Sequence, residues 1–153
     1  MASPMNYLTV LLLLLTSPVL YGQKEIRTYY DEQKQHVQEI YFTSKEDDQK
    51  FVGRYRRFFE NGTLMVDGNF DDGKKSGTFN EYHDNGKMAR VINYVNGMRH
   101  GTVQVFDEDG KPFQKAYYQN DILTDSIQLY FDNGTIKRET IFVNGKPDGL
   151  VKE

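Results

Sequence analysis

Gly77-Thr78-Phe79-Asn80-Glu81-Tyr82-His83-Asp84-Asn85-Gly86-Lys87-Met88 decides the fold, because most of its features return 24 residues earlier and later. Gly62, Gly86, Gly110 and Gly134 form one series at that interval. Gly73, Gly97, Asp121 and Gly145 form a second, and Gly53, Gly77, Gly101, Asp125 and Gly149 a third. A fixed period of this length marks a repeat architecture, in which each supersecondary unit has an apolar face that only its neighbours can cover.

The residues between the glycines say what the unit is. Two positions after the third-series residue stands Tyr55, Phe79, Val103 or Ile127, and three further on an aromatic, Phe58, Tyr82, Phe106 or Tyr130. Turn sequences follow: Glu60-Asn61-Gly62, Asp84-Asn85-Gly86, Glu108-Asp109-Gly110 and Asp132-Asn133-Gly134. Asn or Asp ahead of Gly supplies the positive backbone angles of a tight hairpin. Beyond each tip a second strand begins near Leu64, Met88, Pro112 or Ile136 and ends on Phe70, Tyr94, Tyr118 or Phe142. With residues 83 and 87 flanking the turn, Tyr82 falls opposite Met88, Phe58 opposite Leu64 and Tyr130 opposite Ile136. Pro112 is tolerated because it begins its strand, where a missing N–H matters least. A second turn at Asp72-Gly73, Asn96-Gly97, Asn120-Asp121 or Asn144-Gly145 is expected to lead through a short polar link into the next unit. Each row is then one β-hairpin, with Asp121 and Asp125 expected to hold left-handed turn positions where other rows have glycine.

One feature resists simple alternation. Phe79 and Tyr82 are three apart, so in a regular strand they face opposite sides of the sheet. A bulge between them is expected to bring both to one face. The first row is imperfect as well: Tyr30-Asp31-Glu32-Gln33 aligns with Phe59-Glu60-Asn61-Gly62 only at a separation of 29, so extra residues belong between Ser44 and Phe51. That charged stretch predicts a longer loop in a degenerate capping repeat. Glycine recurs too often for helix. The expectation is an all-β fold: an elongated, twisted, single antiparallel sheet of about ten strands.

Residues 1–22 stand apart. Leu11-Leu12-Leu13-Leu14-Leu15, then Ser17-Pro18, then Leu20-Tyr21-Gly22 before Gln23 predict a secretory signal peptide cleaved after Gly22, although no Lys or Arg precedes the apolar run. The run is too short to span a bilayer uninterrupted. The organisation is thus a signal at 1–22, a degenerate capping repeat at 23–53 with its loop insertion, and hairpin repeats at 54–153 continuous with it. The formal net charge of -3 comes from charges of mixed sign with no basic block, which argues against nucleic acid. Cysteine is absent, excluding disulfides, a thiol nucleophile and Cys-based zinc.

Catalytic chemistry has little to work with. His36, His83 and His100 lack ligand spacing and are expected on solvent-facing positions, so no metal or other cofactor is expected. Ser44, Ser76 and Ser126 sit in loops or links without a nucleophile elbow. The acidic turns at Asp71-Asp72-Gly73 and Asp107-Glu108-Asp109-Gly110 lack calcium-loop spacing. Asn61-Gly62-Thr63 and Asn133-Gly134-Thr135 match the N-glycosylation pattern, which the turn columns generate by themselves. What remains is aromatic: Phe58, Tyr82, Phe106 and Tyr130, with Phe70, Tyr94, Tyr118 and Phe142, are expected to form two ladders. They are read as the packing between hairpins and as the candidate binding surface for a peptide, a partner protein or a glycan.

Gly77 to Lys87, followed by Tyr94-Val95-Asn96-Gly97-Met98-Arg99-His100-Gly101, resembles the variant MORN repeat of many bacterial proteins, some of them labelled antitoxins. The family pattern favours an aromatic, often Trp, where this chain has Tyr55, Phe79, Val103 and Ile127. The resemblance implies consecutive hairpins used for protein or membrane-surface contact, with no catalytic residues to carry over. The resulting expectation is a non-enzymatic, exported scaffold for protein–protein or cell-surface interaction, periplasmic or extracellular in a bacterium. The alternative is a toxin-neutralising immunity protein. A protein or peptide partner is expected, no nucleic acid and no integral membrane span after cleavage, and the open sheet edges invite edge-to-edge self-association.

Overall fold

The computed structural model describes residues 22–148, so the expected signal segment up to Tyr21 and the Gly149 position lie outside the described residues. Between these limits the chain is all strand. β1 (Gln23–Tyr29), β2 (Val37–Ser44), β3 (Gly53–Phe58), β4 (Leu64–Asp71), β5 (Lys74–Tyr82), β6 (Met88–Val95), β7 (Met98–Phe106), β8 (Pro112–Gln119), β9 (Ile122–Tyr130), β10 (Ile136–Val143) and β11 (Lys146–Pro147) follow one another. They form one 11-stranded sheet in sequence order. Every adjacent pair is antiparallel, and the extensive contacts of each strand are with its sheet neighbours. The strand beyond the expected ten is the two-residue β11, which covers only Phe142 and Val143 of β10.

Two turn types alternate along the chain, and they exchange the roles read from the sequence. At the tips, the N–H of Gly86 donates to the His83 carbonyl at 2.9 Å and the N–H of His83 to the Lys87 carbonyl at 2.8 Å. The same pattern closes the tips at 59–63, 107–111 and 131–135. Gly86 has φ 81, but Asn85 is not left-handed, so this is a type I turn closed by a glycine bulge rather than a turn with two positive angles. The Asn acts through its side chain instead: Asn85 Oδ1 accepts the Lys87 N–H at 2.9 Å, and Asn85 Nδ2 donates to the Glu108 carbonyl of the next tip at 2.8 Å. The doubly positive turns lie at the other end of the hairpins, where Asn96 and Gly97 have φ 53 and 84. These are two-residue turns flanked directly by pairs such as Val95↔Met98, so the expected polar links do not exist and each following strand starts at once. Asp121 takes φ 65 in its turn as expected.

The extra residues of each period are taken up inside the strands instead. Asp67 pairs with Asn80, but the next pair is Asn69 with Ser76, so β5 carries two residues more than β4 there. Gly77, with φ 73, lies in this bulge, and Gly101, with φ 98, in its counterpart on β7. β9 has the same offset, between Ala116↔Ile127 and Tyr118↔Leu123. Asp125 is nevertheless not left-handed, contrary to expectation: the chain there takes a route that spares an L-residue the roughly 1–2 kcal/mol of that conformation.

Pairing assigns the faces. Tyr55↔Gly68, Phe79↔Ile92, Val103↔Ala116 and Ile127↔Thr140 form one central column running across the hairpins. Phe79 is 1% exposed, Ile92 6% and Ala116 2%, with Gly68 also buried, so a line of core lies on this face while Ile40 is buried on the other. Large and small residues alternate across the column. Gly68 is the extreme case: a Cβ built there would lie 2.5 Å from the Phe79 ring, so the ring rests directly on backbone.

Candidate functional site: an aromatic face

Phe70, Tyr94, Tyr118 and Phe142 each stand two residues beyond the central column and so share its face. The other aromatic series does not. Phe58, Tyr82, Phe106 and Tyr130 have the opposite parity, and the hairpin irregularities fall on the partner strands, as between Glu81↔Arg90 and Tyr82↔Met88. The expected bulge that would bring both series to one side is therefore absent. Tyr130 shows the direction: its hydroxyl donates to Gln128 at 2.8 Å, and Gln128 bonds Glu139, its cross-strand partner, on the polar face. Among the described residues no ring contact links Phe58, Tyr82, Phe106 and Tyr130 to one another.

On the core face a continuous run of rings forms. Tyr41 lies 4.7 Å from Phe51, Phe51 5.1 Å from Phe70, Phe70 5.7 Å from Phe79 and Phe79 5.1 Å from Tyr94, centroid to centroid. Tyr55 meets Phe70 edge-on at 5.6 Å. Edge and tilted arrangements of this kind favour the ring quadrupoles beyond simple area burial. The run stops after Tyr94 because Val103 and Ile127 stand where Tyr55 and Phe79 bridge earlier rungs. Cations take over: Lys75 Nζ lies 4.9 Å from the centroids of both Phe79 and Tyr94, and the Arg99 guanidinium lies 4.1 Å over Tyr118. Phe51, Lys75, Arg99 and Leu123 are themselves 24 apart, a column the sequence reading passed over although the same period exposes it.

Electrostatics divide these cations. Arg99 Nε is 2.7 Å from Asp121 Oδ1, and that carboxylate also accepts the Arg99 N–H at 3.1 Å. The guanidinium bond, backed by the backbone bond, holds the Asp121 carboxyl below its usual value. Lys75, half-buried between two rings, has no carboxylate partner among the described residues. Nearer the tips, Arg90 Nε pairs with Glu81 at 2.8 Å, and Tyr55 donates to Glu39 at 2.8 Å with Arg57 Nε 3.7 Å from the same oxygen. Burial, then that hydrogen bond, pushes the Tyr55 hydroxyl above its ordinary pKa, so it remains a neutral donor. Phe59, Val66, Glu81, His83, Arg90 and Val105 line an open depression of about 600 Å³ beside the core column. His83 is half-buried there with Nε2 3.2 Å from the Phe106 carbonyl, rather than turned to solvent as expected.

No set of three or more His, Cys, Asp or Glu side chains among the described residues could hold a metal ion, and no helix there is long and apolar enough to cross a membrane. The arrangement offers flat apolar area with cations stacked on it, which is the chemistry of contact. Residues 51–72, 75–96 and 99–120 match a family model described as MORN repeat variant. Each match runs from the Phe51, Lys75 or Arg99 position to the following two-residue turn, so it coincides with one hairpin: β3–β4, β5–β6 and β7–β8. The hairpin β9–β10 keeps the geometry without a match of its own. No curated protein matches the sequence.

Proposed function

We propose that this MORN-variant repeat protein is an exported, non-enzymatic scaffold that holds a protein partner against the aromatic face of its sheet. Repeats of this family are interaction scaffolds for proteins or membranes, and the hairpins at 51–120 carry them. The observation behind the choice of face is the ladder: Phe70, Tyr94, Tyr118 and Phe142 are only half-buried, and no second layer of described residues lies over them. A row of Phe and Tyr rings with stacked cations has the composition that interfaces favour. The export part of the reading is supported by the sequence of residues 1–22.

The test uses Tyr118→Ala. Tyr118 makes no ring–ring contact among the described residues, so its removal leaves the packed run from Tyr41 to Tyr94 intact. Crosslinking in cells followed by capture of the tagged full-length chain should recover a discrete partner with the wild type. Loss of that partner with Tyr118→Ala, at unchanged circular dichroism, supports the assigned face, and undiminished recovery refutes it. Fractionation tests export separately: full-length protein retained in the cytosol refutes that part. A captured partner that arrests growth when expressed without this chain would identify the scaffold as a toxin-neutralising protein.

A further inference from the structure

The ladder has a spacing as well as a composition, and spacing selects a ligand. Equivalent residues Phe70, Tyr94, Tyr118 and Phe142 lie on alternate strands, β4, β6, β8 and β10, so successive rungs are two strand widths apart, about 9.6 Å. Lys75 and Arg99 lie on β5 and β7 and repeat at the same step. A chain laid across the strands must therefore present the same kind of side chain, in the same direction, at roughly that interval. A polyproline II helix does so: three residues per turn and about 3.1 Å per residue return the same face every ~9.3 Å. A β-strand covers a similar distance in three residues, but its third residue then points the opposite way.

We propose that the aromatic face binds a proline-rich segment in the polyproline II conformation, carrying an acidic residue once every three positions. This inference rests on the preceding choice of face. Proline rings pack on half-buried aromatic rungs, as aromatic-lined grooves do elsewhere with such ligands. The acidic residue is set by charge. In a chain of formal net charge -3, this face carries, across β2 to β9, Arg57, Lys75, Arg90 and Arg99 against Glu39 and Glu81. Glu39 and Glu81 are already engaged with Arg57 and Arg90, and Asp121 with Arg99. Lys75 is left between Phe79 and Tyr94 with rings beneath it and no carboxylate among the described residues to meet. An incoming carboxylate beside Lys75 completes the pattern, and the one a triplet further on lies near Arg99, where it shares the guanidinium with Asp121.

The experiment measures fluorescence anisotropy of labelled synthetic peptides with the full chain after signal removal. A peptide of five Pro-Pro-Glu triplets is compared with five Pro-Pro-Lys triplets and with a Pro-Pro-Pro-Glu repeat of equal length. The expected result is saturable binding of the first, about tenfold weaker binding of the other two, and about fivefold weakening of the first by Lys75→Gln. A smaller preference, or indifference to Lys75→Gln in a variant with wild-type circular dichroism, overturns the inference. Competition separates this from failure of the function itself. If the crosslinked partner is lost with Tyr118→Ala but the Pro-Pro-Glu peptide neither binds nor displaces it, the face stands and the ligand class falls.

Discussion

Gly68→Ala is the smallest change that tests how the core face is built. Gly68 lies within β4 at an ordinary extended φ, so the substitution meets no backbone penalty, and alanine alone would favour a strand by roughly 0.5–1 kcal/mol. The space is the obstacle: the added Cβ would stand 2.5 Å from two carbons of the Phe79 ring and 2.7 Å from a third. Phe79 is 1% exposed and meets Phe70 and Tyr94 on either side, so the ring cannot move without disturbing both contacts. Overpacking costs about 1–3 kcal/mol, and contacts this short put the site in the upper half of that range, so after the strand gain a net loss of about 1–2 kcal/mol remains. For a chain of this size that lowers Tm by roughly 3–8 °C. Phe79→Leu alone should cost about 1–2 kcal/mol, being milder than the 3–5 kcal/mol of truncation to alanine. Combined, the new methyl occupies room vacated by the ring, and the double variant should be about 1 kcal/mol better than the sum of the singles. Urea unfolding followed by circular dichroism supplies the values. A neutral or stabilising Gly68→Ala, or additivity within about 0.5 kcal/mol, would refute close ring-on-backbone packing as the reason for glycine here.

Other expectations follow from the turns and the ion pairs. Gly77→Ala should destabilise by about 1–2 kcal/mol through its φ of 73 alone, since nothing lies within 4 Å of the added Cβ, whereas Asp125→Gly should bring no gain, its backbone not being left-handed; thermal melts distinguish the two. Asn85→Ala removes one side chain that both closes its own tip and bonds the next, and should cost about 1 kcal/mol in denaturant unfolding. Asp31, Asp72 and Asp121 are all held below the ordinary carboxyl pKa, by backbone N–H groups from Gln35 and His36, by Lys50 and by Arg99 respectively. A lowered folded-state pKa gives stability that is present above the unfolded value and lost as pH falls through the folded one. Tm should therefore fall as pH drops below about 4, and Asp121→Asn should flatten that decline; an unchanged slope argues against the Arg99 pairing in solution.

The hairpin count and register were legible because turn chemistry is local. Asn85 and Gly86 announce a tip wherever they stand, and the tip alone places Tyr82 against Met88. The choice of face was not legible by the same means, since it depends on where the chain takes up extra residues. The aromatic at 82 and the apolar residue at 79 differ in parity, and the sequence does not say that the irregularity falls on β6 and around Gly77 rather than between them. Gly68 escaped because it belongs to none of the three turn series; its reason is a ring from the neighbouring hairpin, which only the pairing of β4 with β5 brings over it. Lys75 and Arg99 escaped because a charge next to a turn reads as solvated until the rings beneath it are seen.

Since the strands touch chiefly their immediate predecessors and successors, no contact among the described residues closes the sheet into a fixed number of units. Gene duplication or deletion of a whole period would lengthen or shorten the array while leaving the surviving junctions as they were. Loss of a single codon within a strand would instead turn every later side chain in that strand to the wrong side. Unequal recombination between neighbouring copies is thus a mild change and a frameless slip of one residue a severe one, so this architecture is free to vary in reach while its period stays locked.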